Sequence, residues 1–117
     1  MESNAPEAVY AYLSTIGRVT GKTHRIEIWF VRAGMTAYIL NDAGRSNWVM
    51  NVRANPHVTL EIGNTKFAAQ ARVARDGEDQ LARRLLFEKY TSEKELRTFT
   101  EASTTIVVAF DLASQTE

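Results

Sequence analysis

Apolar and polar residues alternate with a period of two along much of this chain, and that period predicts strands. Over residues 25–32, Ile26, Ile28 and Phe30 alternate with Glu27, Trp29 and Val31. Their β-branched and aromatic content fits a pleated sheet surface. Residues 9–15 form a further strand-like run; a short helix over 7–13 is the alternative, because so few residues do not separate the two periods. Residues 36–40, 57–62 and 66–74 read as strands as well, the last with Phe67, Ala69, Ala71 and Val73 on one face. The final run, 104–112, is apolar on both faces, as expected of a strand covered on both sides.

Two segments change period. Residues 48–54 read as a short helix with Val49 and Val52 on its buried side, opened by Ser46 or Asn47 as cap and ended by Asn55-Pro56. A longer helix begins with the acidic turn Asp76-Gly77-Glu78-Asp79 and runs to about Tyr90. Acidic side chains suit the positive end of a helix dipole. Leu81, Leu85 and Leu86 supply its apolar stripe, with Arg83, Arg84 and Glu88 outward. A second short helix is expected over 92–99, capped by Ser92. The sum is one domain over 1–117 with flexible ends at 1–7 and 113–117. It is a small barrel-like α+β fold of five or six strands and two or three short helices.

Composition narrows the function. Fourteen basic and fourteen acidic residues leave the chain neutral, which argues against a general nucleic-acid binder. With no cysteine, disulfides and thiolate metal sites are excluded. No apolar run approaches the ~18 residues of a membrane span, and the first residues lack a signal-peptide core, so a cytoplasmic protein is expected. The two histidines, His24 and His57, form no zinc motif, and no nucleophile elbow, dinucleotide fingerprint or P-loop is present. No metal site is expected.

The concentrated chemistry lies in Gly17-Arg18-Val19-Thr20-Gly21-Lys22-Thr23-His24-Arg25, between two strand-like runs. Glycines ease a tight turn, and Arg18, Thr20, Lys22, His24 and Arg25 offer donors suited to an anionic ligand. The plain alternative is a hairpin with solvated charges. Trp48 can stack on a planar ring or anchor the short helix, Tyr90 can close over a ligand or pack on the barrel, and Arg53 can be a second phosphate contact or a surface charge.

Taken in order, Gly-Arg-x-Thr-Gly at 17–21 and Trp-x-x-Asn-x-x-Ala-Asn-Pro at 48–56 are fairly specific as a pair. Over residues 10–112 the chain resembles the deazaflavin (F420)-dependent nitroreductase family, split β-barrel flavin and deazaflavin oxidoreductases. The resemblance implies a six-stranded split barrel of the pyridoxamine-phosphate-oxidase-like type. It implies a groove for coenzyme F420, with the anionic part held by Arg18, Thr20, Lys22 and Arg25, and the ring beside Ser46, Asn47 and Trp48. His24 joins the hairpin set, and Arg45 and Arg53 are candidates for the glutamate tail. The implied reaction passes a hydride to a quinone, nitroaromatic or other conjugated acceptor, with chemistry carried by the cofactor and no dedicated catalytic residue. Departures from the family pattern are Val19, where a basic residue is frequent, a shorter polar loop over 41–47, and Tyr90 standing for the several tyrosines that often follow the long helix. An FMN-dependent split barrel and a non-catalytic flavin- or haem-binding protein are the alternatives. The implied partners are a small-molecule acceptor and a second copy of the chain, through the strand over 26–31.

Overall fold

The computed structural model of the protein describes residues 8–42, 46–90 and 105–115. Among the described residues seven strands and two helices follow in the order β1 (Tyr10–Ile16), β2 (Thr23–Trp29), β3 (Val31–Ala33), β4 (Thr36–Asp42), α1 (Asn47–Ala54), β5 (His57–Ile62), β6 (Thr65–Val73), α2 (Asp76–Lys89) and β7 (Thr105–Gln115). The helix expected over 92–99 lies outside the described residues. Residues 10–16 are a strand rather than the short helix that the pattern left open. β7 runs on through Gln115, three residues past its expected end.

These seven strands form one antiparallel sheet of order β2-β1-β5-β6-β7-β4-β3. β2 and β3 lie at opposite edges of that sheet, yet only Phe30 separates them in the chain. The sheet must therefore curl until its edges almost meet. The run over 25–32 is accordingly two strands broken at Phe30, which makes seven strands where six were expected. Its alternation survives the break. Ile26, Ile28 and Phe30 belong to the interior cluster, whereas Trp29 and Val31 belong to a second cluster.

The interior cluster gathers Leu13, Ile39, Leu60, Phe67, Val108 and Phe110 inside the curl, with Trp48, Val49 and Val52 of α1 closing it. The second cluster lies on the opposite side, where α2 sets Ala82, Leu86 and Tyr90 against Tyr38, Leu40, Val107 and Ala109. β7 is thus covered on both faces, as its continuous apolar run requires. The α2 stripe is Ala82, Leu86 and Tyr90, spaced four apart, and not one centred on Leu81 and Leu85, which are half-buried. The small Ala82, fully buried, lets the helix approach the sheet closely. Arg83 is half-buried, and its Nε donates to Asp79 Oδ1 at 2.6 Å one turn back on the same helix. Val73, expected on the face of Phe67, Ala69 and Ala71, is 68% exposed although Val108, its partner across the ladder, is buried.

Breaking a strand at Phe30 takes its backbone groups out of the ladder, and buried peptide groups need partners. The end of α2 supplies them. Tyr90 Oη accepts from the Phe30 N–H at 3.2 Å and lies 3.1 Å from the Phe30 carbonyl. Lys89 Nζ donates to the carbonyls of Phe30 at 2.9 Å and Ala8 at 2.8 Å. The Tyr90 ring stacks on Trp29 with centroids 4.9 Å apart. Tyr90 therefore packs on the barrel wall.

The start of α2 is fastened by charge. Arg72 donates to both Glu78 oxygens at 2.7 and 2.8 Å and through Nε to Asp111 at 2.7 Å. Tyr38 Oη donates to Glu78 at 3.1 Å. The Arg72 hydrogen bonds, then the Arg75 backbone N–H, hold the Glu78 carboxyl down at about 2. Arg72 likewise lowers Asp111, while burial raises the Tyr38 hydroxyl. Among the described residues no helix is long and apolar enough to cross a membrane, and no cluster of ligating side chains could hold a metal ion.

Candidate functional site

The turn between β1 and β2 is held by its own backbone. Gly17 N donates to the Lys22 carbonyl at 2.7 Å and Gly21 N to the Gly17 carbonyl at 2.9 Å. Gly21 has φ of +77°, in the region that favours glycine. Gly17 is needed for a different reason. A Cβ there would lie 2.7 Å from His24 Nε2 and 3.0 Å from His24 Cδ2, so the imidazole rests directly on the Gly17 backbone.

Between this turn and α1 opens a cavity of about 420 Å³. Arg18, Val19 and Thr20 line it from the turn, Thr15, His24 and Ile26 from the strands, and Asn47, Trp48 and Asn51 from α1. The Trp48 indole is buried and packs beside Phe110, with centroids 6.1 Å apart. It is thus both a core anchor and a wall of the cavity. No Asp or Glu is among the described residues that line it. Arg18 supplies a fixed positive charge, and the volume lies within the ~300–1,000 Å³ common for small-molecule sites.

Of the residues expected at the site, Arg18, Thr20, His24, Asn47 and Trp48 come together around this cavity. Lys22 stands on the exposed tip, its backbone N–H on Thr20 Oγ1 at 3.2 Å. Arg25 faces the other side of the sheet. Strand alternation sends His24 and Ile26 one way and Arg25 the other, where its guanidinium lies 4.0 Å from the Tyr12 ring centroid and 3.2 Å from Glu61. Ser46 occupies the N-cap position of α1, but its hydroxyl makes no cap hydrogen bond and accepts from Asn41 Nδ2 instead. Arg53 lines a separate cavity of about 250 Å³ with Val49, Val52 and Ile106, while Arg45 lies outside the described residues. His57 is exposed at the start of β5.

Asn51 is the residue that residue-type reasoning passed over. Although it is only 5% exposed, its Oδ1 accepts from Arg18 N at 3.2 Å and Arg18 Nη1 at 2.8 Å, and its Nδ2 donates to Thr15 Oγ1 at 3.2 Å. The signal was its place in the Trp-x-x-Asn spacing. Residues three apart share a helix face, so Asn51 and Trp48 look into one space.

Several solved structures share this fold. An F420-H2-dependent reductase aligns at 21% identity and a TM-score of 0.71, over 96% of this chain and all of that one. A pyridoxamine 5'-phosphate oxidase-type protein from Listeria innocua aligns at 16% identity and a TM-score of 0.71, over 92% of this chain and 86% of that one. A haem storage protein from Vibrio cholerae aligns at 15% identity and a TM-score of 0.72, over 91% and 82%. At such identities these likenesses speak for the fold alone. The family description "F420H(2)-dependent quinone reductase" matches residues 3–111, nearly the whole chain and both faces of the cavity. On that match, the chain belongs to the F420H(2)-dependent quinone reductase family.

Proposed function

We propose that the protein is a reductase that uses reduced coenzyme F420 to deliver a hydride to a quinone, nitroaromatic or other conjugated acceptor. The observation that carries the reading is the cavity between turn and helix, which has an aromatic wall, a tethered arginine and no carboxylate among its described lining. These residues fit a deazaflavin bearing a phosphate. Trp48, Ile26 and Val19 offer apolar surface to a planar ring. Arg18, with Thr20 and His24, offers donors to the anionic end. When bound, the cofactor supplies the hydride, and the protein supplies binding and orientation. Arg18 then neutralises the anion, and Trp48 excludes water from one side of the ring.

A flavin alternative has one observation in its favour. Arg53 faces the second cavity, which leaves the described part of the first with a clamp for one phosphate, as FMN requires. Binding of F420 and FMN by the purified protein, followed by turnover of reduced F420 with a quinone, separates the two readings. Tight F420 binding with turnover supports the proposal, and FMN preference refutes it.

Among the described residues the outer edge of β2 has no strand partner, which supports a homodimer formed by strand pairing. Sedimentation of the purified protein checks this, and a monomer at working concentration counts against it. A cytoplasmic location is proposed from the sequence reading.

A further inference from the structure

A buried carboxamide that serves an exposed arginine is an unusual use of a core position. Asn51 lies within α1, 33 residues from Arg18 in the chain, yet it holds both the backbone N–H and the guanidinium of that residue. Its orientation is fixed by chemistry. Oδ1 faces two donors, and a flipped amide would set N–H against N–H. The far end is fixed as well, because Nδ2 donates to Thr15 Oγ1, a hydroxyl on a residue only 2% exposed. Thr15, Asn51 and Arg18 thus form a chain of hydrogen bonds from the barrel wall to the cavity mouth. Only Nη1 of the Arg18 guanidinium is taken up by this chain among the described residues.

We infer that Asn51 is a positioning residue that aims the Arg18 guanidinium at the phosphate of the cofactor. The inference rests on the F420 reading above. An unrestrained arginine on a surface turn loses rotamer freedom when it closes on an anion, and a tether that fixes it beforehand removes part of that cost. The benefit falls only on ligands that carry the anion.

The test compares F420 with the deazaflavin that lacks phosphate and glutamates, by calorimetric or fluorescence titration of the purified protein. Asn51→Ala is expected to weaken F420 binding about tenfold and binding of the phosphate-free ring less than about twofold. In an Arg18→Ala background the same substitution should cost less than about threefold for F420, because the two residues act as one unit. Equal losses for both ligands, or full additivity with Arg18→Ala, would mean that Asn51 only supports the fold and would overturn the inference. If Asn51→Ala does not fold, Thr15→Val carries the test. It removes the bond that anchors the carboxamide, and a selective loss for F420 supports the inference whereas an unselective one refutes it. A wild-type protein that binds neither ligand overturns the F420 reading and this inference together. Wild-type binding of F420 with unchanged affinity in Asn51→Ala overturns this inference alone.

Discussion

The contact between Gly17 and His24 gives a sharp energetic prediction. Gly17 is not in the left-handed region, so alanine meets no backbone strain there. By itself the exchange should stabilise by roughly 0.4–1 kcal/mol, because alanine restricts the unfolded chain. The new methyl, however, would lie 2.7 Å from His24 Nε2 and 3.0 Å from Cδ2, well inside van der Waals contact. His24 is exposed, so its ring can turn aside, and the overlap costs less than the ~1–3 kcal/mol of overpacking a closed core. Gly17→Ala should therefore destabilise by at most about 1 kcal/mol. In a His24→Ala background the imidazole is gone and the tightest remaining neighbour is the Lys22 carbonyl at 3.2 Å, which needs to give by only a few tenths of an ångström. There the substitution should be neutral or stabilising by up to about 0.5 kcal/mol. Urea unfolding of wild type, both single variants and the double variant measures the coupling directly. Equal losses in the two backgrounds, within about 0.3 kcal/mol, would refute the idea that His24 rests on Gly17.

Other outcomes follow from the same structure. Tyr90→Phe should cost about 1–3 kcal/mol in urea unfolding, because it leaves the Phe30 N–H and nearby carbonyls short of a partner at the break between β2 and β3. The Glu78 carboxyl is held at about 2 in the folded protein, below its ordinary value, so its contribution is present above pH ~4.5 and is lost as pH falls towards 2. Glu78→Gln should remove about 1–2 kcal/mol at pH 7, a figure reduced for solvent screening, and should flatten the fall in stability between pH 5 and pH 2 measured by urea midpoints. Arg25→Ala, on the far side of the sheet, should leave cofactor affinity within about twofold of wild type by titration, whereas Arg18→Ala should lower it at least tenfold.

Much of the fold was legible because the strands obey a simple period. The alternation over 25–32 identified both faces correctly, and the two-sided apolar run of β7 announced a strand sandwiched between interior and helix. The break at Phe30 was not legible. Nothing in the alternation marks it, and it arises from closing the curl, with Tyr90 and Lys89 supplying partners some 60 residues away. In α2, Leu86 is buried as expected and Leu85 packs against the same cluster, but Ala82 was not legible from a leucine pattern, since a small residue is what close helix–sheet packing needs. At the site, residue chemistry pointed to the turn, yet the same alternation that identified the strand already set Arg25 opposite His24. Ser46 looked like a cap from its type, but the side chain of Asn41 engages its hydroxyl instead. Asn51 lies inside the Trp-x-x-Asn spacing, but what its buried amide holds, Arg18 and Thr15, comes from distant parts of the chain and is not legible from that spacing.

If an anionic, ring-bearing cofactor lies against Trp48 with its charge at Arg18, both residues must report its binding. The direct measurement is a tryptophan fluorescence titration with F420 in a Trp29→Phe background, where Trp48 is the remaining indole. Saturable quenching that weakens at least about tenfold when Arg18→Ala is added is the predicted result. Unchanged Trp48 emission, or quenching indifferent to Arg18, would contradict it.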